Sequence, residues 1–256
     1  MNTRPLSAAA AAAFGLLFLQ PAQSEVLHVL SAGAVENALK DLADRYGKAH
    51  GVDVDCSFGN VGMIEERLQR GEQVDVVILS DEAIDTLEHS GLLMREGTTP
   101  VGRVGLGLAI RAGAARPDIS TEAALKATLL QAKSIAYSDP KGGGSSGVAF
   151  DRLVERFGIA DAVHAKAVLI RGGSAADKVA SGEAELAVQN VSELMHVPLV
   201  ALVGPLPLED QSYIRYEAAI SSKSQQRDAA QGFLRALVAP VERAGWRAAG
   251  VEPPPR

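Results

Sequence analysis

The chain has 256 residues, 47% of them hydrophobic, enough to build a core for one large domain or two small lobes. Aromatic residues make up only 4% and the net charge is −6 with no basic run, which argues against a nucleic-acid binder and against electrostatic attachment to a membrane surface. The single cysteine, Cys56, has no partner for an internal disulfide and no activating cation beside it in sequence, so an inert buried thiol is expected.

The first element is "MNTRPLSAAAAAAFGLLFLQPAQS", residues 1–24. Arg4 precedes an apolar stretch from Leu6 to Leu19, and Ala22-Gln23-Ser24 places small residues where signal peptidase cuts. The reading is a signal peptide cleaved near Ser24 and a soluble, periplasmic product.

Strand and helix patterns then alternate. "VLHVLS" (26–31) predicts a strand and residues 35–51 a helix stopped by Gly51. Residues 52–58 alternate as a strand, 61–71 read as a helix, and "VDVVILS" (74–80) as a strand buried on both faces. Residues 81–91 form a helix with an acidic first turn. Three successive βα units predict a parallel, doubly wound sheet. The rhythm breaks at 101–113, a long glycine-containing strand with no helix directly behind it. A second series follows: helix 120–131, strand 134–138, helix 145–157, strand 165–170, helix 174–181 and strand 185–190. Isolated strand patterns at 198–207 and 212–222 precede two terminal helices, 223–238 and 240–249.

This order predicts an α/β protein of two lobes, residues 25–104 with 206–256 and residues 105–205, joined by two crossing strands. Ligands of open α/β sheets bind beyond the carboxyl ends of the strands, so the two lobes would share a cleft.

The stretch "SDPKGGGSSG" (138–147) invites three interpretations. Gly142-x-Gly144-x-x-Gly147 matches the dinucleotide fingerprint, but four residues separate it from the strand end. Gly143-x-Ser145-x-Gly147 matches a nucleophile elbow, yet a proline-containing loop does not make the required sharp turn. The third interpretation is an anion site. Gly144 permits close approach, and Ser145, Ser146 and Gly147 open a helix whose free N–H groups face an oxyanion. Three other strand-to-helix junctions carry small or polar residues: Ser31, then Gly59-Asn60 with Gly62, then Arg171 to Ser174. Four junctions, two per lobe, suit a small anion clamped between lobes. The five histidines show no metal-binding spacing, so no metal or other cofactor is expected, and His28 reads as a packed core residue. A monomer is expected.

"LSAGAVENALKDLADRYGKAHGV", "GNVGMIEERLQRGEQVDVVILSD", "YSDPKGGGSSG" and "KVASGEAELAV" together resemble the periplasmic molybdate-binding proteins of ABC importers, over essentially the whole mature chain. The most specific blocks are Gly71 to Ile78 and the Asp139-Pro140 loop. The resemblance implies a type II periplasmic binding fold hinged by two crossing strands, an anionic ligand, an ABC permease as partner and no enzyme activity. It also implies ligand contacts from Ser31, from the N–H groups of Gly144 to Gly147 and from the helix start near Ser174. Where the family has a serine pair this chain has Asn60-Val61-Gly62, and where a tyrosine is frequent it has Gln189-Asn190. These longer donors, with Arg171, favour a carboxylate over a tetrahedral oxyanion.

One branch resembling the same scaffold, the aconitate isomerases, is catalytic. Moving a proton along an allyl system needs cations for three carboxylates, for which Arg171, Lys141 and Arg103 are candidates. It also needs an acid/base group, drawn from Glu36, Asp139, His196 or Lys141. Each has a structural alternative: Glu36 suits a helix N-terminus, Asp139 the turn before Pro140, and His196 a surface position. The sequence therefore yields a periplasmic anion carrier as first expectation and an aconitate isomerase as alternative.

Overall fold

Runs of Val, Ile and Leu broken by amphipathic stretches produce strands and helices in the expected alternation. The computed structural model describes residues 26–195 and 197–255; the predicted leader and His196 lie outside the described residues. The chain opens with β1 (Val26–Ala32), a 3-10 turn (Gly33–Val35) and α1 (Glu36–His50), which ends where Gly51 takes a left-handed φ of 69°. Then come β2 (Asp53–Gly59), α2 (Val61–Gln69), β3 (Val76–Ser80) and α3 (Asp81–His89). Every residue of β3 is buried, as its unbroken apolar run requires. Within β1, Leu27 and Val29 point inward and His28 outward. His28 is thus no core residue; its half-exposed ring lies 3.4 Å from Asp55.

The long strand β4 (Thr99–Arg111) leads into α4 (Glu122–Gln131), β5 (Ile135–Ser138), α5 (Ser145–Arg156) and α6 (Ala160–His164). There follow β6 (Ala167–Ile170), α7 (Ala175–Ser181), β7 (Leu186–Asn190), the single turn α8 (Val191–Leu194) and β8 (Val200–Pro205). The chain closes with β9 (Tyr213–Ile220), α9 (Arg227–Leu237) and α10 (Arg243–Ala248). Helix α9 starts later than the sequence pattern predicts. Buried Asp75 draws the preceding residues into a turn, accepting from Ser224 Oγ at 2.6 Å, while Gln226 donates to the Val26 carbonyl.

The strand order is β2-β1-β3-β9-β4-β7-β5-β6, with β8 also paired to β4. β1, β2 and β3 are parallel, and β5 is parallel to β6 and β7. β9 and β4 run antiparallel to their neighbours, so the sheet is mixed. β4 divides its partners: Thr99 to Gly105 pair with β9, and Leu106 to Ile110 pair with β7. One strand thus belongs to both lobes and crosses between them at Gly105–Leu106. The return crossing lies between β8 and β9. There Gln211 clamps β4 by donating to the Leu106 carbonyl at 2.9 Å and accepting from the Leu106 N–H at 2.6 Å. Separate apolar cores sit on either side, one around Leu39, Ile78 and Phe233, the other around Leu108, Phe150 and Val188. The result is a two-lobed α/β fold with two crossing strands at the hinge.

Candidate functional site

Strands β1, β2, β5, β6 and β7 all end at one cleft of about 670 Å³. The first lobe contributes Gly33 from the 3-10 turn, Glu36 and Asn37 from the start of α1, and Asn60 and Met63 at the start of α2. The second contributes Ser138, Gly172 to Ser174, Gln189 and Glu193.

The lobes touch across this cleft through backbone. The Gly62 N–H donates to the Gly143 carbonyl at 3.3 Å, with Gly143 at φ 76°. A Cβ on Gly62 would lie 2.4 Å from the Gly142 carbonyl oxygen, and one on Gly143 would lie 2.6 Å from the Gly62 Cα. Only glycine on both sides permits this approach. Two side chains add to it: Asn60 Nδ2 donates to the Arg171 carbonyl, and Asn37 Nδ2 to the Ser192 carbonyl at 3.3 Å. Asn60 also caps α2, its Oδ1 accepting from the Met63 N–H at 2.8 Å.

Two glycines of the run, Gly144 and Gly147, pack closely against the end of β5. A Cβ on Gly147 would fall 1.9 Å from the Ser138 carbonyl oxygen, and one on Gly144 would fall 2.6 Å from the Ser138 Cβ. These glycines let α5 pack onto the end of β5, and the wall that faces the cleft is Ser138. Ser146 is buried and donates to Ser138 Oγ at 3.1 Å, while Ser145 lines a neighbouring groove with Asp81 and Arg215. Ser31 is fully buried, its hydroxyl turned to the Ala32 carbonyl at 3.1 Å.

The predicted charged residues divide. Glu36 lines the cleft and forms an ion pair with Lys40 on the next turn of α1. Asp139 is buried, but its carboxylate is engaged by the Lys141 N–H at 3.0 Å and by Arg171 at 3.4 Å, which fixes the turn before Pro140. Arg171 ends its strand as expected, yet its side chain is 83% exposed and lies outside the cleft lining. Lys141 is exposed and lies outside the cleft lining. Arg103 is held elsewhere, 2.8 Å from Glu252 and stacked over the Tyr213 ring. His196 lies outside the described residues.

Gln189 and Asn190, at the end of β7, organise the floor. Gln189 Oε1 accepts from the Ala175 N–H at 2.7 Å, and its Nε2 donates to the Gly173 carbonyl at 3.2 Å and to Glu193 Oε1 at 2.9 Å. Asn190 Nδ2 donates to Glu193 Oε2 at 2.7 Å and to the Tyr216 hydroxyl at 3.1 Å. Ser174 caps α7, accepting from the Ala176 N–H at 3.1 Å while its hydroxyl donates to the Glu193 carbonyl at 2.6 Å.

Glu193 is the residue the sequence analysis missed. It lies in α8, whose single turn carries no helical periodicity. A usable signal was present: an acid four residues after Gln189 and three after Asn190, at a strand-to-helix junction. Its carboxyl packs against the 3-10 turn before α1, 3.0 Å from where a Cβ on Gly33 would stand. Burial pushes the carboxyl up from an ordinary 4.5 to about 7, the nearby Glu36 adds to this, and the Asn190 hydrogen bond opposes it. Burial also pushes the Cys56 thiol up to about 12, so it is inert. Among the described residues no three His, Cys, Asp or Glu side chains are grouped to hold a metal, and no helix is long and apolar enough to cross a membrane.

Known proteins share this architecture. The chain is 36% identical over 261 residues to an aconitate isomerase from a Pseudomonas species, covering 100% of this chain and 97% of that protein. The periplasmic molybdate-binding protein of Azotobacter vinelandii superposes with a TM-score of 0.77 at 22% identity, covering 90% of this chain and 100% of that one. A sulfate-binding protein of Mycobacterium tuberculosis gives 0.75 at 16% identity, covering 90% and 87%. The family model described as bacterial extracellular solute-binding protein matches residues 27–252. With two lobes, strand ends facing a shared cleft and a family match along nearly its whole length, the chain belongs to the bacterial extracellular solute-binding protein family.

Proposed function

We propose that this protein is an exported isomerase that interconverts trans- and cis-aconitate in the interlobe cleft. The carrying observation is the presence of three carboxyl side chains, Glu36, Asp177 and Glu193, in the anion cleft of a solute-binding fold. An anion carrier gains affinity from donors alone, because a buried carboxylate repels an anionic ligand. A proton-shift enzyme instead requires a carboxyl group that accepts and returns a proton. The relative named aconitate isomerase, matched over 97% of its length, supports the same choice.

In this reading the closing bodies are residues 25–104 with 206–256 and residues 105–205. Asn37, Asn60, Ser138 and Ser174 hold the substrate carboxylates. Arg171 and Lys141 stand exposed outside the cleft lining, where their charge attracts a trianion. The reaction is redox-neutral and needs no cofactor. A C–H proton leaves the methylene, its electron pair spreads over the allyl unit and the flanking carboxylates, and a proton returns at the other terminal carbon. Residues 1–24 direct export to the periplasm.

The carrier reading remains second, supported by the family match, and would add an ABC permease as partner. Purified protein incubated with trans-aconitate should yield cis-aconitate by chromatography, with the same final ratio from either isomer. Saturable binding of aconitate or molybdate in calorimetry, with no interconversion, would leave the carrier in its place.

A further inference from the structure

We propose that Glu193 is the group that carries the proton, and that Asn190, anchored by Tyr216, positions it; this rests on the isomerase reading above. Among the described residues four carboxyl groups stand in or beside the cleft, Glu36, Asp139, Asp177 and Glu193; the first two are held in ion pairs, and of the other two only Glu193 has both oxygens held by side-chain donors. Glu36 is paired with Lys40, and Asp139 with Arg171 and the Lys141 N–H. Glu193 forms no ion pair among the described residues. It is held by neutral amides, one on each oxygen, from Gln189 at 2.9 Å and Asn190 at 2.7 Å. Amides fix a carboxyl in place without locking it as an anion, which suits a group that must exist in both protonation states.

Its surroundings are consistent with that role. From α1 it faces Glu36, whose charge favours the protonated form, with Lys40 beyond it. From α7, Asp177 lines the same cleft. From β9 comes the Tyr216 hydroxyl, pushed well above its ordinary value by burial and by Glu193 and therefore always protonated. Together these hold the Glu193 carboxyl near neutrality, where a proton can be taken and returned.

The positioning residues tie this group to the hinge. Asn190 ends β7 in the second lobe, while Tyr216 lies in β9, paired with Ser80 and Gly102 of the first. The Asn190–Tyr216 hydrogen bond therefore joins the holder of Glu193 to the opposite lobe. Among the described residues, Asn190 Oδ1 is buried with no hydrogen-bond partner. Turning the amide over would present that oxygen to a protonated Glu193, so the same side chain can serve both states.

In the step itself the Glu193 carboxylate takes a proton from the substrate methylene and becomes a carboxylic acid. The C–H electron pair delocalises over the allyl unit. The same O–H then protonates the other terminal carbon, the double bond shifts, and the carboxylate is restored. No oxidant or second reactant is consumed.

The test compares the wild-type protein with Glu193→Gln, which keeps the size of the side chain and one acceptor oxygen, its new N–H group meeting the Asn190 oxygen once that amide turns over. Turnover of trans-aconitate should fall by about 10²–10⁴-fold while its binding, read by calorimetry, is retained. A merely structural Glu193 would leave turnover intact in this variant, and that result overturns the assignment. Asn190→Leu removes a donor that favours the carboxylate, so the rising limb of kcat/KM against pH should move to higher pH; an unmoved limb overturns the positioning role. If Glu193→Gln does not fold, Glu193→Asp serves instead: lowered kcat with the limb preserved supports the assignment, and unchanged kcat overturns it. Wild-type protein that binds but never converts aconitate overturns the isomerase reading and this assignment with it. Wild-type turnover matched by Glu193→Gln overturns this assignment alone.

Discussion

Gly62→Val is expected to leave both lobes folded and to prevent them from closing. Gly62 opens α2 in the first lobe, and the nearest atoms its Cβ would meet belong to Gly142 and Gly143 of the second, all backbone at 2.4–3.1 Å. Backbone at that distance cannot give way as a flexible side chain would. Within its own lobe the change replaces a helical glycine with β-branched valine, which is neutral or stabilising by at most about 0.5 kcal/mol. The cost falls entirely on the closed state. Displacing Gln189 and Glu193 from Gly33 and Glu36 by an ångström or more should lower turnover about 10²-fold or further. Small-angle scattering with saturating ligand should show the variant more extended than the wild type, with near-normal melting. Wild-type closure and turnover in this variant would remove the glycine contact from the functional state.

The second large effect is on stability. The Glu193 carboxyl titrates near 7 in the folded protein, against an ordinary 4.5. Below about pH 4.5 it is neutral in both folded and unfolded chains and costs nothing. As pH rises, the unfolded chain ionises first, and stability is lost progressively until the folded group ionises as well, near pH 7. Above that the loss is constant. Glu193→Gln has no such loss, so it should be more stable than the wild type at pH 8 by about 1–3 kcal/mol, an advantage that vanishes at pH 4.5. Denaturant melts at the two pH values measure it. A variant less stable than the wild type at pH 8 would mean that Glu193 is held as an anion by a partner. A variant that is more stable but inactive fits a strained carboxyl kept for function.

The fold was largely legible. The βα rhythm from Val26 to His89 follows apolar runs and glycine stops that act locally. The crossing of β4 was visible as a long apolar strand with no helix behind it. The sequence could not show that β9 inserts between β3 and β4, because that pairing joins segments more than a hundred residues apart. The site was legible only where strand ends determine it. Asn60, Ser174 and Gln189 were expected at strand ends, and all three line the cleft. The glycine run was ambiguous because close backbone packing selects the same residues as close ligand approach; Gly147 faces the Ser138 carbonyl. Arg171 misled because strand position fixes a Cα and not the direction of a long side chain. Glu193 escaped because one turn of helix has no periodicity, and its approach to Gly33 exists only once the lobes are packed.

The claim that this cleft moves a proton is tested most directly by proton NMR of trans-aconitate incubated with the wild-type protein in deuterated water. The account predicts that cis-aconitate resonances grow while deuterium enters the methylene, because the proton on Glu193 exchanges with solvent in the cleft between removal and return. A spectrum that stays unchanged while the protein is saturated with ligand would contradict it.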